Sequence, residues 1–297
     1  VEEGALRGIT YRRDGESHQV QCDQLVLAIG HSARDTYEML HQAGLDMEQK
    51  PFSIGFRIEH PQGLIDKAQY GALAGHERLP RAEYHLSVKT SVGRGAYTFC
   101  MCPGGTVVPS SSEENKLCTN GMSAYLRDGA NANSALLCDV RTEDFGSNHP
   151  LAGIAFQRRW EEAAYTLGGG GYRAPAQLVG DFLQGVPSTG MGSVVPTYRP
   201  GVNWGMVEEA LPAFAAPVLK EAIGAFDRRL KGFALPDAVI TAAETRSSAP
   251  LRILRQGDGQ SAIKGIYPAG EGAGYAGGIM SAAVDGLKTA IKLVESL

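Results

Sequence analysis

Long apolar runs are absent from this chain. Nothing in its 297 residues approaches the ~18 consecutive apolar positions that a membrane-spanning helix requires. Positive charge is also scarce: 28 Lys and Arg face 32 Asp and Glu, for a net charge of -4. Nucleic acid is therefore not an expected partner, since phosphate binding needs clustered Lys and Arg. A secreted disulfide framework is excluded by five cysteines, an odd number, scattered along the sequence. A reducing, cytoplasmic setting is expected. The opening residues "VEEGALRGIT" have neither the basic nor the apolar region of a signal peptide. No internal repeat, heptad stretch or block of like charge occurs. No Ser-His-Asp constellation or nucleophile elbow can be assembled, and no set of four ligands with metal spacing is found.

Glycine, in contrast, is abundant. There are 38 glycines in 297 residues, against a usual share of about 7%. They cluster at Gly168 to Gly171 and at Gly270 to Gly278, which signals turns and close backbone approach. The remaining composition, 43% hydrophobic, is that of a globular protein.

The two ends of the chain share one texture. "LRGITYR" and "HQVQC" read as strands joined at Asp14-Gly15, a hairpin signal. "QLVLAIG" is a continuous apolar run suited to a strand buried on both faces of a parallel sheet. "RDTYEMLHQAGL" places Tyr37, Leu40 and Ala43 on one stripe and stops at Gly44, as a helix does. Near the C-terminus "AVITAAETRSS", "PLRILR" and "GIYPAG" are short β-type runs. From Gly278 onward Ala283, Val284, Leu287, Ala290, Ile291 and Val294 fall at helical spacing. The middle is of another kind. "FSIGFRIEHP", "YHLSVKT", "GAYTFCMC", "GTVVPSS" and "SALLCDVR" predict strands, with the third and fourth joined through Pro103-Gly104-Gly105. "LAGIAFQRRWEEAAYTLG" and "PAQLVGDFLQG" predict helices. Two or three more are expected over residues 203–233, punctuated by Pro212 and Pro217. The economical reading is an α/β domain (α+β overall), residues 1–50 with 237–297, interrupted by a mixed α/β insertion over residues 51–236.

The chemistry concentrates in "GIYPAGEGAGYAGGIMSAAVDGLKTA", Gly265 to Ala290. A strand delivers the chain to Ala269-Gly270. Glu271 then stands at the sheet edge, where a carboxylate can accept hydrogen bonds from sugar-type hydroxyls. Gly272, Gly274, Gly277 and Gly278 lack Cβ atoms, so a flat or charged ligand can lie against backbone N–H groups. The helix that starts near Gly278 favours negative charge at its N-terminus. The competing reading is a glycine-rich turn that only lets a helix pack closely on a strand.

This stretch resembles the C-terminal flavin motif of glutathione-reductase-type flavoproteins. "QCDQLVLAIGHSARDT" is similar to the strand ending Ala-Thr-Gly in the same proteins, with Ile29 in place of Thr. Together with "RGAYTFCMCPGG" and "TNGMSAYLRDGANANSA", the pattern resembles bacterial FAD-dependent dehydrogenases over nearly the whole chain. The resemblance implies FAD as cofactor, met by Ile29, Gly30, Gly270, Glu271, Gly272, Ala273, Gly274, Gly277, Gly278 and Ile279. It also implies hydride transfer between flavin and a small-molecule substrate, with residues 51–236 as the substrate or cap domain. Such a family opens with a strand, a G-x-G-x-x-G turn and a helix for the ADP half of FAD. No segment here carries that pattern, and "LGGGGYRAP" follows a helix rather than a strand. The expectation is an incomplete Rossmann-like domain: the C-terminal part of a longer protein, or a truncated relative. On its own it would bind FAD weakly or not at all, its partner being an N-terminal FAD-binding segment.

Three further residues are catalytic candidates. Arg246, with Arg252 behind it, offers forked donors for an anionic substrate or the flavin O2/N3 edge. Surface ion pairing explains such arginines equally well. Cys100 and Cys102 would share a strand face ~6–7 Å apart at Cα, the edge of disulfide range. Buried small residues are the simpler account of them. Asn120 and Asn133 lie in polar segments that read as turns or as substrate contacts. Two other functions therefore stay open beside the flavin oxidoreductase: a non-catalytic binding module derived from a flavoprotein, and a thiol-dependent reductase.

Overall fold

The computed structural model describes residues 1–296. In chain order the elements are β1 (Gly8–Arg13), β2 (Glu16–Gln21), β3 (Leu25–Leu27), α1 (Arg34–Gln42), β4 (Met47–Gln49), β5 (Phe52–Pro61), α2 (Gln62–Tyr70), β6 (Ser87–Lys89), β7 (Gly95–Cys102), β8 (Gly105–Pro109), β9 (Thr119–Ser123) and β10 (Asn131–Val140). There follow α3 (Ala152–Leu167), β11 (Ala174–Leu178), α4 (Val179–Gln184), β12 (Val202–Trp204), α5 (Ala215–Arg229), β13 (Val239–Glu244), β14 (Leu251–Ile253), β15 (Ile266–Pro268) and α6 (Ile279–Glu295). The chain is mixed α and β, as its sequence predicts. No helix of the described residues is long and apolar enough to cross a membrane.

Two compact units form. The first gathers Val1–Phe52, Arg141–Phe156 and Arg246–Leu297. Its core is Leu6, Leu27, Tyr37, Leu40, Leu45, Met47, Ile154, Leu251, Ile253, Ile263 and Ile266. The β1–β2 hairpin turns at Asp14 and Gly15, both with positive φ (51° and 84°), the conformation a two-residue turn of this hand demands. Strand β15 pairs in parallel with β3, Ile266 opposite Leu25 and Pro268 opposite Leu27. The parallel pair was expected to be buried on both faces. Instead, among the described residues, β15 is the one strand beside β3, and Val26 stays 43% exposed.

The second unit holds Ser53–Val140 and Gln157–Thr245, built on a seven-stranded mixed sheet in the order β12-β11-β13-β5-β10-β7-β6. Strand β11 runs parallel to β12 and antiparallel to β13. Gly55 of β5 has no room for a side chain, since a Cβ would stand 1.9 Å from the Leu136 carbonyl oxygen of β10.

Several elements depart from the sequence reading. "PAQLVGDFLQG" begins as a strand: Ala174–Leu178 fills the slot between β12 and β13, and only Val179–Gln184 is helical. Sheet pairing on both edges overrides the local preference. Residues 203–233 supply two helical segments, the 3-10 turn Val207–Ala210 and the long helix α5. Pro217 is its third residue, where the missing N–H costs nothing. Strand β8 returns against β9, not β7. Strand β13, which sequence texture grouped with the C-terminal segment, lies in the seven-stranded sheet, while residues 141–156 cluster with the first unit.

Candidate functional site

The parallel register of β3 and β15 sends both C-terminal ends the same way. Beyond them lie Ile29-Gly30-His31 and Ala269–Gly278. Ligands of open parallel sheets bind outside such ends. Gly30 and Gly270 turn their loops with positive φ, 70° and 74°. The Tyr37 hydroxyl of α1 joins the loops, donating toward the carbonyls of Gly30 (3.1 Å) and Gly272 (2.6 Å). Burial, reinforced by the Glu271 carboxylate and opposed by Arg34, pushes the Tyr37 phenol well above its usual range, so it stays a neutral donor.

The glycines divide into two groups. A Cβ on Gly272 would lie 2.6–2.7 Å from backbone atoms of Gly30, and one on Gly274 would lie 2.5 Å from the Leu251 carbonyl oxygen. These two are glycines because the loop packs on backbone, of the Gly30 loop and of strand β14, and not to admit a ligand. At Gly277 a Cβ would meet nothing within 4 Å, and at Gly278 only Ser281 Oγ at 4.0 Å. That space is open. Gly278 caps α6 without any side-chain hydrogen bond, and Ile279 is 90% exposed. Gly270 is held from below, its N–H donating to Asp285 Oδ2 at 2.7 Å. Two residues expected among the contacts face inward. Ile29 packs on the unit's core, and Ala273 is buried with its carbonyl accepting from Ile253 N–H.

Glu271 is half-buried and lies 3.2 Å from His31 Nδ1. Ser32, next in the chain, accepts from Arg246 at 3.1 Å. Lys50, which the sequence did not single out, donates to Ser248 Oγ at 2.7 Å. Burial, with Arg252 adding to it and Glu271 opposing, lowers the Lys50 ammonium below its usual range. His31 and Lys50 thus both act on the Glu271 carboxylate, and Arg246 reaches Ser32 beside His31. Arg252 points elsewhere: it pairs with Glu48 at the surface (2.9 Å) and stacks over Tyr275, as Arg255 does more closely.

Cys100 and Cys102 lie at the end of β7 in the second unit. Neither is in a disulfide. Cys100 is exposed, with φ of 43°, and Cys102 is buried and donates to the Cys100 carbonyl at 3.3 Å. Burial, opposed by Arg57, raises the Cys102 thiol, which disfavours the thiolate a nucleophile needs. The same carbonyl accepts from Arg57 NH1 at 2.8 Å. Arg57 is fully buried and grips Glu244 through two bonds, 2.5 and 3.0 Å. Asn120 and Asn133 accept its remaining protons, at 2.6 and 3.3 Å. These asparagines are therefore ligands of a buried guanidinium, not turn formers, with Asn133 inside strand β10. Among the described residues no group of three or more His, Cys, Asp or Glu could hold a metal ion.

The carboxylate, the open glycine pair and the uncapped helix end suit a ligand with sugar-type hydroxyls and a negative edge. Comparison with known proteins shows the family, though the family model does not reach these residues. Residues 51–247 match the family model described as FAD-dependent protein, C-terminal domain-like. An uncharacterised protein of Clostridium beijerinckii (strain ATCC 51743 / NCIMB 8052) is 50% identical over 299 residues, which cover 98% of this chain and 56% of that protein. The chain thus spans about half the length of the curated relative it matches.

Proposed function

The chain belongs to the FAD-dependent protein family whose C-terminal domain it matches, and from that premise we propose that it is the flavin-facing part of an FAD-dependent oxidoreductase of glutathione-reductase type. The observation that carries this reading is the paired loop end of β3 and β15. It sets a half-exposed Glu271 beside an open Gly277-Gly278 pair and the uncapped start of α6. Bound there, the flavin would supply hydride transfer to or from a small substrate. Glu271, oriented by His31, would accept from ribityl hydroxyls. Backbone N–H groups at Gly278 and Ile279 would meet the negative edge of the ring, helped by the helix dipole, while the Gly277 N–H is held by Ser281 Oγ at 3.2 Å. Arg246 and Lys50 would hold an anionic substrate group, and residues 51–236 would shape the substrate site.

In this reading the dinucleotide-binding half of the FAD domain lies outside these residues, so the 297-residue chain binds FAD weakly. Titration of the purified chain with FAD, followed by flavin fluorescence, should give a dissociation constant above roughly 1 µM. Tighter binding would show that the chain holds a complete site. Protein from the extended coding sequence should be purified yellow. A colourless product would favour the non-catalytic binding module instead.

A further inference from the structure

Glu244 and Glu59 are both buried in the seven-stranded sheet of the second unit, and their charges are met differently. Glu244 of β13 has the Arg57 guanidinium, held through two bonds. Glu59 of β5, opposite Val239 of β13, has no such partner. Every hydrogen bond it makes is one it accepts. The Thr197 N–H donates to Oε1 at 3.1 Å and the Thr197 hydroxyl at 2.6 Å. The Asn131 amide is a third donor, also at 3.1 Å. Val107 N–H donates to the Thr197 hydroxyl oxygen at 2.8 Å, which leaves the hydroxyl proton for Glu59. Three donors suit a charged carboxylate. Among the described residues, however, no Lys, Arg or His forms an ion pair with it. Neighbouring His60 turns to the Phe233 carbonyl, and burial keeps it neutral. A buried charge without a counter-charge is costly.

The groups that hold Glu59 also line a cavity. It has a volume of about 390 Å³, with Asn131 and Thr197 in its lining and apolar walls at Pro61, Val194, Val195 and Pro196. No Lys or Arg lines it. Ser193, exposed and also in the lining, is held by a second carboxylate: Asp237 Oδ2 accepts its N–H at 2.9 Å and its hydroxyl at 2.6 Å. Asn131 carries the decisive atom. It is only 6% exposed. Its two amide protons go to Glu59 and to the Val195 carbonyl (2.9 Å), which fixes the orientation of the amide. Its Oδ1 is left as an acceptor with no donor among the described residues.

We propose that this cavity binds a small aliphatic amine, its ammonium donating to Asn131 Oδ1 with Glu59 as counter-charge and its alkyl chain lying against Pro61, Val194 and Val195. The site lies wholly within the second unit and takes a ligand that the flavin reading does not call for. Each competing ligand leaves something unmet. An anion would face Glu59 and Asp237. A neutral alcohol would satisfy Asn131 Oδ1 and leave Glu59 without a counter-charge. A hard metal ion takes about six or more oxygen ligands, whereas among the described residues no group of three or more His, Cys, Asp or Glu could hold one. The volume is also that of a small-molecule site rather than of a single ion.

Titration of the isotope-labelled chain with n-butylamine hydrochloride at neutral pH, followed by NMR, tests the proposal. n-Butanol and potassium chloride serve as matched controls. Saturable shifts are expected at the Asn131 side-chain amide and at the backbone amides of Val194, Val195 and Thr197, with millimolar affinity. n-Butanol should bind about tenfold or more weakly, and potassium chloride should give no saturable shift. Glu59→Gln keeps an oxygen for Thr197 and removes the charge, so it should weaken butylammonium by about tenfold or more. Val195→Trp, at an exposed position in the lining, should block the cavity and abolish binding with the urea midpoint unchanged. That second variant decides the matter even if Glu59→Gln does not fold. No saturable shift, equal shifts from n-butanol or potassium chloride, or full binding by Val195→Trp overturns the proposal. So does unchanged affinity in a folded Glu59→Gln, which would leave Glu59 as a staple for the Thr197 loop alone.

Discussion

Gly272 and Gly277 look equivalent in the sequence, five residues apart in one glycine-rich run, yet they answer to different constraints. An added methyl at Gly272 would lie 2.6–2.7 Å from Gly30 backbone atoms. Gly272→Ala should therefore cost about 1–3 kcal/mol, read as a lower urea midpoint. Gly277→Ala has open space and should leave the midpoint unchanged while weakening flavin retention in the longer protein. Equal effects at both positions would refute the division. Arg57 is a fully buried charge inside the second unit. Burial opposes its charge, but Glu244 outweighs that and keeps the guanidinium charged. Arg57→Ala leaves the Glu244 carboxylate buried without its partner and should destabilise the unit by about 3–5 kcal/mol. His60 gives a pH signature. It is fully buried, its Nε2 2.7 Å from the Phe233 carbonyl, and burial lowers it from 6.5 to about 4. The unfolded chain then binds more protons between those values. The contribution is complete above pH 6.5 and is lost as pH falls toward 4, by up to about 3 kcal/mol. Glu59 and Glu244 are both raised by burial and act with the opposite sign, losing stability as pH rises. The difference between the chain and its His60→Gln variant isolates the histidine. Urea unfolding at pH 4.5, 5.5 and 7 should show that difference shrinking with acid; a constant difference would remove His60 from the account.

At the scale of elements, α1 and α6 matter more through what they pin than through their own stability. Tyr37 reaches from α1 to both loop carbonyls. Tyr37→Phe keeps the packing and strands two acceptors, at a cost of about 1–3 kcal/mol, and should raise hydrogen exchange in both loops. Asp285 does the same from α6, joining Gly270 to Arg255. The helices at "RDTYEMLHQAGL" and after Gly278 were legible because period and punctuation agree there. Strand β11 was not, since Ala-Pro-Ala-Gln-Leu has no β pattern of its own and becomes a strand through β12 and β13. The site was legible in part for the same reason. Gly30 and Glu271 announce themselves by local context, whereas Lys50 is brought near Glu271 by pairing of β4 with β14, whose partners Gln49 and Leu251 are far apart along the chain.

Across the whole molecule the thiols report on folding. Cys100 is exposed, Cys22 intermediate, and Cys102, Cys118 and Cys138 buried. An aromatic disulfide reagent should react fast with one thiol, more slowly with a second, and with the last three only on unfolding; five fast thiols would contradict the two cores. What the sequence by itself determined was local: the hairpin at Asp14-Gly15, the helical stripes and the strand–acid–glycine–helix order at Glu271. Each rests on neighbours within a few turns or strand positions, where backbone preference and period are written directly. Tertiary structure alone decided which glycines are packed and which open, that Asn120 and Asn133 serve Arg57, and that Asp285 pins α6 to Gly270 and Arg255. Those outcomes depend on which distant segments share space, and no local pattern in the chain encodes that.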